Sequence, residues 1–298
     1  MPAKLTLNAP GRAVRVVVIA DGESLEIGRD LACDVVLEDT SVSRRHARLG
    51  WHGTGWTLVD VGSKNGTKLN GEPVGAGELR DGDRIGIGRV MGRFDRLSAV
   101  QAATLESDRL ARIQGTAEMR RRLTPDLGPA DMLVRLLESA MELTRTERGF
   151  VLVVGPEGKL RVKVASGFSP AALRQDRFQG SVGAARQVLA TGEAVAVADV
   201  RADPQLGKRP SVAALGIASL ACVPLRRDGR ILGLIYVDSQ KRGTAFTQLD
   251  VEILEALADH AATILADTPF DLNVRVYPTD GEVVEELQQR IEELLPAV

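Results

Sequence analysis

The feature that most restricts what this chain can fold into is a series of short β-rich runs through its first third. Residues 14–19 (VRVVVI), 46–51 (HARLGW), 56–60 (WTLVD) and 83–88 (DRIGIG) are punctuated by Asp21-Gly22, Asn65-Gly66, Asn70-Gly71 and Asp81-Gly82. Those dipeptides accept the positive φ that tight hairpin turns demand, so many short strands at this spacing specify a β-sandwich. The β pattern ends near Ser98, where Ala, Glu, Arg and Gln take over until Thr124-Pro125 and Gly128-Pro129 break the run. This stretch is expected to be a partly helical linker.

A different pattern follows. Leu133, Leu136, Leu137, Ala140 and Met141 recur at helical spacing, and the runs RGFVLVV and LRVKVA then read as strands. After them come a periodic helix around Val182–Leu189, two more strand-like runs (SLACVPL and RILGLIYVD), and a long helix. Thr247 and Asp250 are spaced as a capping box at its start, and Leu254, Leu257, Ala258, Ala261, Ile264 and Leu265 form its apolar stripe. The expected class is therefore multidomain, an all-β sandwich followed by an α+β domain with an antiparallel sheet flanked by helices. Boundaries are expected at 1–98, 99–128 (linker), 129–268 and 269–298, the last a tail with a strand at NVRVY and a helix opened by Thr279-Asp280. In that tail helix Val284, Leu287, Ile291 and Leu294 make a stripe too short for a coiled coil alone, so it must dock or pair.

Composition narrows the function. Thirty-eight Lys and Arg against 40 Asp and Glu give a net charge of -2, which carries no nucleic-acid footprint. The triplet Arg120-Arg121-Arg122 is a short solvated cluster in the linker. No signal peptide and no run of about eighteen apolar residues is present, so a cytoplasmic setting without membrane insertion is expected. The two cysteines, Cys33 and Cys222, lack a C-x-x-C partner and sit among apolar residues. No H-E-x-x-H, G-x-S-x-G, kinase loop or Walker motif occurs, so no enzyme activity, cofactor or metal is expected. Two phosphate-loop lookalikes fail on spacing: GSKNGTK at 62–68 lies between strands, and GIGRVMG at 86–92 misses G-x-G-x-x-G.

The first segment resembles the forkhead-associated (FHA) family. The motifs run in family order: Ile27-Gly28-Arg29, SVSRRHA at 41–47, WTLVD at 56–60 and SKNGT at 63–67. The resemblance implies an eleven-strand sandwich whose loops at one end hold a phosphothreonine peptide. It implies contacts to that peptide from Arg29, Ser43, Arg44, Ser63, Lys64 and Asn65, with Gly28, His46 and Gly66 supporting the loops. The residue types suit the task, since guanidinium and hydroxyl donors make charge-assisted hydrogen bonds to a phosphate dianion and a side-chain amide can clamp peptide backbone.

From about Ala130 to Asp267 the chain resembles a GAF domain, through Glu142-Leu143-Thr144, ERGF at 147–150, VLATGEAV at 188–195, Ala202-Asp203-Pro204, SVAALGIASLACVPL at 211–225 and GRILGLIYVDS at 229–239. Such domains sense small molecules or dimerise. Cyclic-nucleotide-binding members carry Asn-Lys and F-x-x-x-D-E elements; here Phe246 and Asp250 fit, but Val251 replaces the Glu, and Asp238-Ser239 stands near the Asn-Lys position. His260 and Cys222 read as core or helical residues rather than haem or bilin anchors. The expectation is a non-catalytic adaptor that binds a phosphothreonine-containing protein, a Ser/Thr kinase or its substrate, and forms a homodimer. The alternative is a regulator gated by a small-molecule GAF ligand, acting on transcription among other outputs.

Overall fold

The computed structural model describes residues 1–124, 128–155, 158–169, 173, 179–198, 217–241, 246–267 and 281–295. The Ala202-Asp203-Pro204 stretch, residues 211–216, the expected strand at 273–277 and Thr279-Asp280 lie outside them. The chain divides into two compact units, Met1–Ala111 and Arg112–Val298.

The first unit holds eleven strands: β1 (Ala3–Asn8), β2 (Arg15–Ile19), β3 (Ser24–Gly28), β4 (Val35–Val36), β5 (Ala47–Trp51), β6 (Trp56–Asp60), β7 (Thr67–Leu69), β8 (Glu72–Val74), β9 (Ala76–Leu79), β10 (Arg84–Ile87) and β11 (Val90–Arg96). They form two sheets, β2-β1-β11-β10-β7-β8 and β4-β3-β5-β6-β9. Alternation decides what faces the core. In β1 the buried residues are Ala3, Leu5 and Leu7, and in β5 and β6 they include Leu49, Trp56 and Leu58. Each buried leucine-sized side chain contributes about 1.5–3 kcal/mol by leaving water. Trp56 is fully buried edge-on to Trp51 and Phe94, at 5.7 and 5.9 Å, and its indole N–H donates to the Met1 carbonyl at 3.1 Å. That bond removes the penalty of burying an unpaired indole donor. The interstrand loops at one end of this rigid frame, after β3, before β5 and between β6 and β7, carry the motif residues.

Helix α1 (Ala99–Arg122) fills most of the expected linker. A reciprocal cap starts it: the Gln101 N–H donates to Ser98 Oγ and the Ser98 N–H to Gln101 Oε1.

The second unit is built on a five-stranded antiparallel sheet of β12 (Arg148–Val154), β13 (Leu160–Ser166), β14 (Val195–Val197), β15 (Ser219–Arg227) and β16 (Arg230–Ser239), in the order β13-β12-β16-β15-β14. Its strands are buried on both faces, which explains their near-continuous apolar sequence. Helices α2 (Pro129–Thr144) and α4 (Gln248–Asp267) bury the residues of their apolar stripes: Leu133, Leu136, Leu137 and Ala140 on α2, and Leu254, Leu257, Ala258 and Ala261 on α4. The Thr247–Asp250 capping box forms, with the Thr247 N–H and hydroxyl donating to Asp250 Oδ2. On another face, α3 (Gln179–Thr191) and the tail helix α5 (Gly281–Leu294) join one core with Phe150, Cys222 and Tyr236. Val283, Val284, Leu287 and Ile291 of α5 are buried there. The Gln288 amide also pairs with the backbone of edge strand β13, accepting the Val162 N–H at 2.7 Å and donating to the Leu160 carbonyl at 3.0 Å. That contact blunts an edge that would otherwise invite strand pairing. The apolar stripes that suggest chain pairing in the sequence are thus buried within one chain.

Candidate functional site

In the first unit the loop after β3, the loop before β5 and the β6–β7 loop enclose a cleft of about 710 Å³, lined by Arg29, Ser43, Arg44, Lys64 and Asn65 among others. The approach of two backbones makes it. Gly28 has no room for a side chain, because a Cβ there would lie 2.1 Å from the Arg44 carbonyl oxygen and 2.8 Å from Cys33 Sγ. The Arg29 N–H donates to the Ser43 carbonyl at 2.9 Å and the Asp30 N–H to the Arg44 carbonyl at 3.0 Å, fastening the loops side by side.

His46 sits beneath them, fully buried. Its Nδ1 accepts the Ser43 N–H at 3.0 Å, and its Nε2 lies 3.1 Å from the Gly66 carbonyl. A backbone N–H on one side and a carbonyl on the other assign the neutral Nε2–H tautomer. The imidazole thereby ties the Ser43 loop to the β6–β7 loop. Gly66 contributes its carbonyl at a φ of +74°.

Asp60 organises the β6–β7 loop from inside. It accepts the N–H groups of Gly62 and Ser63, the Ser63 hydroxyl at 2.6 Å and the Thr67 hydroxyl at 2.7 Å. Burial pushes the Asp60 carboxyl up, but these bonds, the Ser63 hydroxyl foremost, outweigh it and bring the pKa down to about 2. Ser63 therefore spends its hydroxyl proton on Asp60, and it is absent from the cleft lining that Arg29, Ser43, Arg44, Lys64 and Asn65 share.

At the cleft wall the Lys64 N–H donates to Ser43 Oγ at 2.9 Å, and Asn65 Nδ2 donates to the Ser41 carbonyl at 2.7 Å. Arg29 is held loosely, Nε to the Val42 carbonyl at 3.4 Å. Neighbouring basic groups are committed elsewhere: Arg45 pairs with Glu26 and Arg89 with Asp39. Among the described residues no carboxylate forms an ion pair with Arg29, Arg44 or Lys64. The cleft can thus present three cations, a hydroxyl donor and an amide to an anionic extended ligand. Asp39, Ser41, Asp60 and Arg89 also shape it. Sequence reasoning passed over them, and the only signal lay in the turn-forming spacings D-x-S and D-x-G-S.

In the second unit, Arg148 and Asp238 form a buried pair, with Nε and Nη2 of Arg148 at 2.7 and 2.5 Å from Asp238 Oδ1. Burial pushes the Asp238 carboxyl up to about 6 although the guanidinium opposes it. Cys222 is fully buried in the core and its thiol is pushed well above the ordinary range by desolvation, which leaves no accessible thiolate there. His260 Nε2 lies 2.9 Å from the Leu123 carbonyl, and Asp250 is taken up by its helix cap and by Arg112. Among the described residues no cluster of His, Cys, Asp and Glu could hold a metal ion, and no helix is long and apolar enough to cross a membrane.

Comparison with known proteins places both units. Residues 25–88 match the FHA domain model and residues 126–266 a GAF domain model. An oxoglutarate dehydrogenase inhibitor from Corynebacterium jeikeium is 44% identical over 71 residues, 24% of this chain and 49% of that protein. The glycogen accumulation regulator GarA from Mycolicibacterium smegmatis is 42% identical over 71 residues, 24% of this chain and 45% of its own. The chain spans about half the length of these curated relatives. A solved structure from a study of phosphothreonine-dependent FHA domain interactions is 34% identical, covering 33% of this chain and 99% of that one with a TM-score of 0.30. By the two model matches, the chain carries an FHA domain followed by a GAF domain.

Proposed function

We propose that this protein is a non-catalytic signalling adaptor whose FHA domain binds a phosphothreonine-containing protein, a Ser/Thr kinase or a kinase substrate. The observation that carries this reading is one cleft lined by Arg29, Arg44 and Lys64, without carboxylate partners among the described residues, together with Ser43, whose hydroxyl accepts the Lys64 backbone N–H. A phosphothreonine carries about −1.5 to −2 charge and three strong acceptor oxygens, which such a set can satisfy. Arg29 and Ser43 take the phosphate, Arg44 and Lys64 add charge, and the Asn65 amide holds peptide backbone. Ser63 acts by keeping the loop in shape through Asp60. Fluorescence anisotropy with a phosphothreonine peptide library and its unphosphorylated counterpart tests the reading. Selective binding of the phosphorylated set, lost in Arg29→Ala, supports it, and equal binding of both sets overturns it.

Homodimerisation through the GAF domain belongs to the same proposal, with light scattering of the full chain at micromolar concentration as its test. A second reading, a regulator gated by a small-molecule GAF ligand, is favoured by one observation: Asp238 is buried and both of its bonds from Arg148 fall on one carboxylate oxygen, Oδ1. A metabolite screen that raises the melting temperature of the wild type but not of Asp238→Asn would favour that second reading.

A further inference from the structure

The glycine-containing run at 86–92 has no nucleotide chemistry, yet its turn reaches the loop that carries the proposed site. Gly88 and Arg89 form the two-residue connection between β10 and β11, and Gly88 has a φ of +60°, where such hairpins take glycine. Ser41 packs so closely on it that a Cβ at Gly88 would lie 2.5 Å from Ser41 Oγ. The Arg89 N–H donates to Ser41 Oγ at 2.8 Å. The same hydroxyl donates to Asp39 Oδ1 at 2.6 Å, and the Ser41 N–H joins it on that oxygen at 2.8 Å. The Arg89 guanidinium closes the ring, with Nη2 at 3.2 and 3.1 Å from the two oxygens of Asp39. Every polar atom of Ser41 is thereby committed, and its carbonyl accepts Asn65 Nδ2 at 2.7 Å.

We infer that Arg89, through Asp39 and Ser41, is a positioning residue for Asn65: it fixes the carbonyl that takes one Nδ2 hydrogen, and so orients the amide and presents its Oδ1 as an acceptor to a peptide N–H. The inference rests on the proposed phosphopeptide role of the cleft. Its physical basis is independent of that role. An exposed amide rotates freely and loses entropy on binding, whereas one anchored at Nδ2 has met that cost on folding. The Asp39 carboxylate suits the task. Burial pushes its pKa up, but the bonds from Ser41 and Arg89 outweigh it, so it stays ionised and holds all its donors.

The test uses the full chain and three measurements. In the nuclear magnetic resonance spectrum the Asn65 side-chain amide protons should differ from those of exposed amides, and in Arg89→Met they should move to the exposed-amide position. With an alanine-flanked phosphothreonine peptide, Arg89→Met should weaken binding about three- to tenfold, the worth of one ordinary hydrogen bond. The Asn65→Ala/Arg89→Met double variant should bind no more weakly than Asn65→Ala alone, while Arg29→Ala and Arg89→Met multiply. A merely structural role for Arg89 would multiply with Asn65→Ala as well. Should Arg89→Met fold poorly, Asp39→Asn, which keeps the shape and loses the charge, takes its place. Unchanged Asn65 amide resonances in a folded variant, or full additivity with Asn65→Ala, overturn the inference. Failure of the wild type to distinguish phosphorylated from plain peptide overturns the proposed function instead, and the resonance measurement still decides whether Arg89 positions Asn65.

Discussion

The hydroxyl of Ser43 accepts the backbone N–H of Lys64 at 2.9 Å, which fixes the oxygen and leaves its proton to donate toward the cleft. Two loops that meet only through folding thus share one atom. Replacing Ser43 by Ala removes the donor to the ligand and strips the Lys64 N–H of its acceptor. Because a hydrogen bond to a charged group contributes about 1.5–3 kcal/mol, Ser43→Ala should weaken phosphothreonine peptide binding roughly ten- to a hundredfold. Calorimetry checks this. The melting temperature should barely change, since the Lys64 N–H is at the surface and can turn to water.

His46 predicts the opposite signature. It is fully buried and bonded on both ring nitrogens. His46→Ala would leave a cavity and two backbone groups without partners, for a loss of about 2–4 kcal/mol in unfolding free energy. Both tryptophans of the chain, Trp51 and Trp56, lie in the FHA domain, so the fluorescence midpoint in urea reads this unit alone. An unshifted midpoint would remove His46 from the scaffold of the site.

The FHA sandwich was legible in alternation and turn dipeptides, and the motif resemblance named Arg29, Ser43, Arg44, Lys64 and Asn65, which the fold brings onto one cleft. What was not legible depends on contacts between distant positions. Arg89 and Asp39 are 50 residues apart, and nothing in G-I-G-R announces that its arginine folds back onto D-T-S. Ser63 and Lys64 are adjacent and equally polar, yet the loop turns one hydroxyl inward to Asp60 and leaves the next residue on the cleft, a choice made by the acceptor beneath. The amphipathic stripe of α5 showed that it must be covered without showing where. Its docking on β13 depends on the Gln288 amide meeting a strand edge more than 120 residues away in sequence.

Asp60 makes the FHA domain sensitive to acid. Its pKa in the folded state, about 2, lies below the ordinary 3.8, so the stability it contributes is complete above about pH 4 and is lost as pH falls through 2. The shift corresponds to roughly 2 kcal/mol. Comparing the wild type with Asp60→Asn by tryptophan fluorescence in urea, the stability difference should shrink steadily between pH 4 and pH 2. Ser63→Ala, which removes the foremost bond to Asp60, should flatten part of that profile; a difference independent of pH would show that Asp60 is not held ionised by the loop.

Arg148 and Asp238 should give the GAF domain the reverse pH response. Asp238 is fully buried, the guanidinium meets only its Oδ1, and Arg148 and the Tyr236 side chain are the neighbours that favour its charged form. Desolvation outweighs both, and its pKa rises from 3.8 to about 6. A carboxyl that binds its proton more tightly when folded contributes stability fully below about pH 4, and that contribution is lost as pH rises through 6. Measured on the far-UV helical signal, to which the GAF helices contribute most, the stability difference between wild type and Asp238→Asn should fall as pH rises from 4 to 7. Removing the cation alone should be worse. Arg148→Met leaves the carboxylate buried without its counter-charge, which costs about 3–5 kcal/mol at neutral pH, and because the lowering influence is gone the pKa climbs further and the loss extends above pH 6. The paired substitution Arg148→Met/Asp238→Leu removes both charges and should recover most of the stability, since desolvating an ion pair costs about as much as the attraction returns. A flat pH profile for the wild type, or a double variant as unstable as Arg148→Met, would show that the pair is hydrated and stabilising in its own right.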